Sequence, residues 1–379
     1  MHKSIIFWVL IGLSIQSYAQ LNEKYTYQHF SGSIGQHTKI NLHLCRFGND
    51  LSSTYEIING EGVKDAPTEI SLKGDYNIAG NLVKLWAASD SKNNLFTGKY
   101  SDSKHITGEW CIREGEEKFS FKLTEDYSMG QIPFKYEVYA DKMPLFAMKG
   151  SPEGKILMLF PVPQQRMGQD AFVRHLSGVF SGKKDILPSE LKEELKVAAN
   201  QFFTAYLDNN REAYNIRFPN STFCWEREQT AIIILNKKDL VSIRYKNFAF
   251  TGGKAGLEQN KVFTFDFKGI APISLRDLFQ DEDLNGLSDA ITETLIENLG
   301  LTSTETLKSR GFYSDNISAV ENFYLGNEGI SFVYNPYEIA GGSHGITEVY
   351  IEYSKIHGLL KSRSVVERLI NRDATGFGL

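Results

Sequence analysis

The stretch ISFVYNPYEIAGGSHG, residues 330–345, decides how the second half of the chain folds. Apolar side chains alternate along residues 330–334, which is the pattern of a β-strand. Pro336 then ends that strand, because proline has no N–H to donate and restricts the residue before it. The glycine-rich residues 341–345 predict a turn, and residues 346–353 alternate again. The sequence therefore predicts a strand, a kinked corner, a loop and a second strand.

Several motifs around this stretch occur together in one known family. Residues 336–340 (PYEIA) and 322–325 (NFYL) resemble the C-terminal signature of the RsiV/PdaC-type family of bacterial extracellular domains. These domains occur in lysozyme-sensing anti-sigma factors and, outside the catalytic module, in some peptidoglycan deacetylases. Further matches lie upstream, at residues 250–253, 262–267 and 273–279. The family usually has a Gly-Gly-Ala-His-Gly turn where this chain has GGKAG at residues 252–256, so the family's histidine is absent here.

The resemblance covers roughly the last two thirds of the chain. It implies an extracellular domain that faces the cell envelope, with a lysozyme-like protein or a peptidoglycan fragment as a possible partner. The shared motifs imply the fold, and they carry no lysozyme-contacting residue over to a position in this sequence. The metal cluster of the deacetylase module has no counterpart here, and neither do the cytoplasmic segment and membrane span of the anti-sigma relatives.

Length and charge limit the classes of protein to which this chain can belong. A chain of 379 residues exceeds one typical domain, so we expect two or three folded units. Hydrophobic residues make up 41% of the chain, which supports a globular protein. The formal net charge of −5 provides no electrostatic case for binding nucleic acid, which normally needs a basic face.

Residues 1–19 are predicted to be a signal peptide. His2 and Lys3 form a polar, basic start, residues 5–13 form an apolar core, and Ser-Tyr-Ala at residues 17–19 fits a cleavage site. The mature chain would begin at Gln20 and be periplasmic or secreted. The apolar core is short for a membrane span, so we expect no stable membrane insertion; the alternative is an N-terminal anchor that is never cleaved.

The chain contains three cysteines, Cys45, Cys111 and Cys224. An oxidising compartment would permit a disulfide between Cys45 and Cys111, which both lie in the β-rich first part. The alternative of three unpaired, buried thiols stays open. No CxxC or HxxxH pattern occurs, so the spacing predicts no metal site, and we expect no cofactor.

The predicted secondary structure changes from all-β to mixed α and β near residues 124–130. Residues 20–127 contain seven or eight short alternating segments, which predict a small antiparallel β-barrel or sandwich. Residues 128–371 predict an α+β domain with a mostly antiparallel sheet and helices on one face, followed by a flexible tail at 372–379. Helices are expected at residues 170–180, from Ser189 to 210, at 281–299, near 354 and at 362–371. Gly32, Gly74, Gly98 and Gly108 are expected at barrel corners.

The candidate ligand-binding residues are Tyr334, Tyr337, Glu338 and His344. His344 lies in the glycine-rich loop, close in sequence to Glu338 and Glu348, and could contact a ligand or act as a general base; the alternative is a polar loop residue. The two tyrosines could form an aromatic recognition surface; the alternative is packing at the kinked corner.

Two classes of function remain. The first is an exported, non-catalytic protein that binds a component of the cell envelope. The alternative is a hydrolase that acts on an envelope glycan or peptide through a carboxylate pair in an unrecognised site. The absence of GxSxG and HExxH motifs leads us to favour the binding protein, without catalytic residues.

Overall fold

The structure is a computed structural model that describes residues 24–60, 69–164, 167–183 and 185–370. The predicted signal peptide and the predicted tail at 372–379 lie outside the described residues. The described residues up to Val138, together with Phe160–Gln164, form one compact unit; Tyr139–Leu159 and the described residues from Met167 onward form another. The sequence boundary between residues 127 and 128 stays a prediction.

The first unit contains a closed barrel of eight antiparallel strands, each paired with the next. The register from Ile34↔Phe121 to Phe30↔Glu125 joins the last strand to the first and closes the barrel. This confirms the predicted all-β fold and selects the barrel over the sandwich. The strands are β1 Tyr25–Ile34, β2 Thr38–Phe47, β3 Asp50–Gly60, β4 Glu69–Asn77, β5 Leu82–Ala87, β6 Asn93–Asp102, β7 His105–Arg113 and β8 Phe119–Glu125.

Alternation along these strands fills the barrel, because side chains of a strand point to opposite faces in turn. The interior is closely filled by residues that include Phe30, Leu42, Tyr55, Phe96, Trp110 and Leu123. Glycines of the barrel lie at positions where the backbones of two paired strands approach each other closely. A Cβ on Gly108 would lie 2.2 Å from the Thr97 carbonyl oxygen, so only glycine permits this approach.

The second unit contains most of a six-stranded sheet and all of a three-stranded one, with helices, so the predicted α+β class is confirmed. The six strands have the order β14-β13-β12-β11-β10-β9, with β10 and β11 parallel and β11 to β14 antiparallel. Their bounds are β9 Phe134–Pro144, β10 Glu153–Pro163, β11 Trp225–Lys237, β12 Leu240–Thr251, β13 Leu257–Asp266 and β14 Ala271–Pro272. The antiparallel small sheet has the order β15 Phe323–Leu325, β16 Gly329–Tyr334 and β17 Thr347–Glu352.

The helices are α1 Gln169–Ser181, α2 Leu191–Asn210, α3 Leu275–Leu278, α4 Leu284–Leu299, α5 Tyr353–Ile356 and α6 Val366–Ile370. All the helices except α3, which was not expected, lie close to predicted segments. Gly300 ends α4 at φ 61°, as a C-terminal glycine does. The helix expected from Ser189 begins two residues later, at Leu191; Glu190 precedes it and makes no side-chain capping bond. Among the described residues, no helix is both long and apolar enough to cross a membrane.

The small sheet is packed on both of its faces within the second unit. All six residues of β16 are buried, and the sheet shares a core with α4 through Leu287, Ile291 and Phe332. Its edge is tied to the large sheet, since the Thr264 hydroxyl on β13 accepts from the Leu325 amide at 2.8 Å. The loop that follows β16 therefore starts from a rigid base.

Cys45 and Cys111 are both buried, on β2 and β7. Strands β1 and β8 lie between them in the barrel. Neighbouring strands are about 4.8 Å apart, whereas bridged cysteines have Cα atoms no more than about 7 Å apart. The strand order thus favours the alternative in which these two cysteines are not bonded to each other.

Candidate functional site

Two loops of the second unit meet beside the small sheet. The 335–346 loop connects β16 to β17, and the 307–322 loop precedes β15. They pair through their backbones: Phe312 and Ala340 form an antiparallel bridge, and the Tyr313 amide donates to the Ile339 carbonyl at 2.9 Å. Residues far apart in sequence are therefore brought into one surface.

Asn335 and Glu338 shape the predicted corner. The Asn335 side chain accepts from the Asn260 amide at 2.6 Å and donates to the Asn260 carbonyl at 3.0 Å, which fastens the corner to β13. The Glu338 carboxylate accepts from the Asn335 amide at 2.8 Å and from the Asn335 side chain at 3.3 Å. Glu338 thus stabilises its own loop and still has lone pairs for further donors.

Tyr334 is buried and has a structural role. Its hydroxyl donates to the Ser318 carbonyl at 2.8 Å, which links the end of β16 to the 307–322 loop. Burial, with a further contribution from the Glu338 charge, raises the pKa of the Tyr334 phenol above its ordinary value. The packing alternative stated for the two tyrosines therefore applies to Tyr334.

Tyr337 has the opposite environment. Tyr337 is 68% exposed, so it does not pack in the interior. Its backbone adopts φ 72°, a left-handed conformation that is sterically unfavourable for a bulky residue. The ring lies against Gly342, where an added Cβ would be 2.4 Å from the ring carbon Cζ. A strained backbone and a glycine together hold an aromatic ring at the surface.

His344 ends the 3₁₀ turn Gly342–His344 and is exposed. Its ring packs on Phe312 at a centroid distance of 5.0 Å, so it helps to join the two loops. The two glutamates near it in sequence have other partners: Glu338 binds Asn335, and Glu348 accepts from Arg244 at 2.8 Å. The structure thus gives no support to a histidine–carboxylate pair at this loop.

A cleft of about 420 Å³ lies between the loops. Tyr313 lines the cleft and is 56% exposed. Glu338 is the one charged residue among the described residues that line the cleft. The others include Ser314, Asn316, Ile317, Ser318 and Ile339. Glycoside hydrolysis normally uses two carboxylates that flank the bond, whereas one carboxylate among hydroxyls, two amides and one exposed aromatic ring suits binding.

The ligand-binding role expected for Tyr334, Tyr337, Glu338 and His344 stays a prediction. Of these four, Tyr334 and Glu338 line the cleft. Tyr313, in the 307–322 loop, was not among the candidates. That loop has no regular period, so its position beside residue 339 is visible only in three dimensions. Among the described residues, no group of three or more His, Cys, Asp or Glu side chains is arranged to hold a metal ion.

Residues 276–354 match a family model described as a protein of unknown function, DUF3298. A solved DUF3298 family member from Bacteroides fragilis is 21% identical, with a TM-score of 0.57, over 64% of this chain and 98% of that one. A second, from Pseudomonas aeruginosa, is 17% identical, with a TM-score of 0.44, over 62% and 96%. No curated protein matches. The first similarity shows the fold alone, and the loops that form the cleft lie within the segment that matches DUF3298.

Proposed function

We propose that this protein is an exported, non-catalytic binding protein of the cell envelope, with a lysozyme-like muramidase or peptidoglycan as its partner. The observation that carries the proposal is the cleft with Tyr313 exposed beside a single carboxylate, Glu338. The resemblance to RsiV/PdaC-type domains supports the envelope as the place of action.

A large aromatic ring is unfavourable to leave exposed to water. An aromatic side chain gains most when it is buried, and tyrosine combines a large apolar surface with a hydroxyl, so it is frequent where partners bind. The 307–322 and 335–346 loops are fixed to each other and to the sheets by backbone pairs. Binding would therefore order little of the chain, which keeps its entropic cost low.

Co-sedimentation with purified sacculi and pull-down on immobilised lysozyme test this proposal with the mature chain. Tyr313→Ser should weaken capture, because it removes the exposed ring. Ile216→Ser is the matched control, since Ile216 is 85% exposed and lies in neither loop; it should bind as the unaltered protein does. No capture on either support would contradict the proposal. Release of peptidoglycan fragments that Glu338→Gln abolishes would favour the hydrolase instead.

Export is part of the same proposal. N-terminal sequencing of the protein recovered from the envelope or the medium should begin at or near Gln20. Recovery mainly of chains that start at Met1 would contradict export with cleavage.

A further inference from the structure

Tyr337 is an exposed residue in a strained conformation. Non-glycine residues rarely adopt φ near 72°, and strain of this kind concentrates at functional sites, where the surrounding structure maintains it. The Gly342 contact has the same effect, because any side chain there would displace the Tyr337 ring. Two independent features of the loop thus serve to place one exposed ring.

Tyr313 adds a second exposed ring on the paired loop. Its amide is bonded to the carbonyl of Ile339, which lies only two residues after Tyr337. The two tyrosines, 56% and 68% exposed, are therefore presented by one joined pair of loops. Tyr313 lines the cleft, and Tyr337 directly precedes Glu338, which also lines it. Aromatic ring faces carry partial negative charge and attract the C–H groups of a ligand.

The polar groups of the cleft restrict the charge of that ligand. Ser314, Asn316 and Ser318 are neutral and can bond hydroxyl and amide groups. The Glu338 carboxylate can only accept hydrogen bonds when ionised, so it favours O–H and N–H donors and repels anions. Rings with C–H faces, many hydroxyl or amide donors and no negative charge are the chemistry of a neutral saccharide.

We propose that this cleft binds a neutral saccharide chain, with sugar rings stacked on Tyr313 and Tyr337 and hydroxyl or amide donors directed to Glu338. The inference rests on the proposed binding function and narrows its partner to a glycan. Glu338 is then the residue that determines specificity, because it discriminates against acidic sugars.

Calorimetric titration of the mature protein tests the proposal with two tetrasaccharides, one of N-acetylglucosamine and one of galacturonate. The neutral probe should bind and the anionic probe should bind more weakly. Gly342→Ala should raise the Kd for the neutral probe by about two- to tenfold, the worth of an aromatic contact. Gly341→Ala is the matched control: its Cβ would meet nothing within 4 Å, and its φ of −60° suits alanine.

Glu338→Gln should reduce the preference for the neutral probe while the protein remains folded, since the amide oxygen can still accept from Asn335. Equal affinity for both probes, or an unchanged Kd in both Gly342→Ala and Tyr313→Ser, would overturn the inference. Capture of lysozyme without binding of the neutral saccharide would overturn it too and leave the proposed function standing, now with a protein partner. If the protein binds neither sacculi nor lysozyme nor either tetrasaccharide, the proposed function and this inference are both wrong.

Discussion

At the scale of single residues, two tyrosines three positions apart have opposite roles. Tyr334 is almost fully buried and bonded to Ser318, whereas Tyr337 is mostly exposed at a positive φ. The difference arises because the chain turns out of the sheet at Asn335 and Pro336, which lie between the two tyrosines. Residue type alone thus says little about which aromatic is buried and which one is exposed.

Substitution separates these two roles. Tyr334→Ala should lower the free energy of unfolding by about 3–5 kcal/mol, as the loss of a buried aromatic does. Tyr337→Asn should leave it unchanged or slightly raised, because asparagine tolerates the left-handed conformation. Denaturant unfolding of both variants measures the difference. Equal destabilisation would show that Tyr337 is a packing residue after all.

His29, on the outer face of β1, is a buried histidine of the first unit. It is hydrogen-bonded through Nδ1 to the Asp126 carbonyl, while Nε2 is buried without a hydrogen-bond partner. The carbonyl can only accept, so Nδ1 carries a proton and donates to it. Burial lowers the pKa of His29, and the hydrogen bond to the Asp126 carbonyl and the Asp126 charge only partly offset this.

The stability of the protein should therefore fall as the pH falls from 7 towards 5. The folded pKa of His29 lies below its unfolded value of about 6.5, so below that pH the unfolded state binds a proton that the folded state does not. Unfolding in denaturant at several pH values measures the slope. His29→Leu should reduce the slope, and Ser120→Ala, at an exposed position that carries no titratable group, should not. An unchanged slope in His29→Leu would assign the pH dependence to other groups.

At the scale of elements, the barrel depends on close backbone contact as much as on its apolar interior. Gly98 and Gly108 are directly paired between β6 and β7, and a Cβ on Gly108 would also lie 2.5 Å from the Gly98 Cα. Such positions let the strands coil tightly enough to close with eight members.

Gly108→Ala should destabilise the barrel by about 1–3 kcal/mol or more, because the clash is with backbone that cannot move aside. Ser120→Ala, at an exposed position on neighbouring β8, should change the free energy of unfolding by no more than about 0.5 kcal/mol. Thermal unfolding of the two variants tests this. A harmless Gly108→Ala would mean that the strands can separate locally without cost.

At the scale of the whole molecule, the first unit extends beyond its last barrel strand. The Phe134 and Tyr136 rings lie 6.0 and 6.2 Å from the Tyr27 and Phe47 rings of the barrel. Ile132 and Val138 are fully buried. Residues 128–138 therefore cover part of the outer face of the barrel, although the sequence change near residue 127 suggested a boundary there.

Two fragments test how much this cover contributes. A fragment of residues 24–138 should unfold at a higher temperature than one of residues 24–127, because the shorter one exposes the outer side of Tyr27 and its neighbours. Circular dichroism on heating compares them. Equal midpoints would place the boundary at residue 127, where the sequence suggested it.

The sequence by itself determined the local structure. Alternation predicted the barrel strands and the strands on either side of the PYEIA corner, and the helix expected at 281–299 ends where α4 does, because period and helix termination depend on neighbouring residues only. It also placed His344 in the glycine-rich loop and named Tyr337 and Glu338 as candidate ligand-binding residues. The sequence carries no signal for which distant segments pair. It therefore left open whether the first part is a barrel or a sandwich, and whether Cys45 and Cys111 are bonded.

Only the tertiary structure decided which segments meet. It placed Tyr313 beside Ile339, exposed Tyr337, buried Tyr334 and separated Cys45 from Cys111 by two strands. These outcomes depend on pairing between residues far apart in sequence, where a one-residue change of register would turn every side chain to the other face. The burial of a loop residue is set by whatever packs against it, and no local pattern in the chain encodes that.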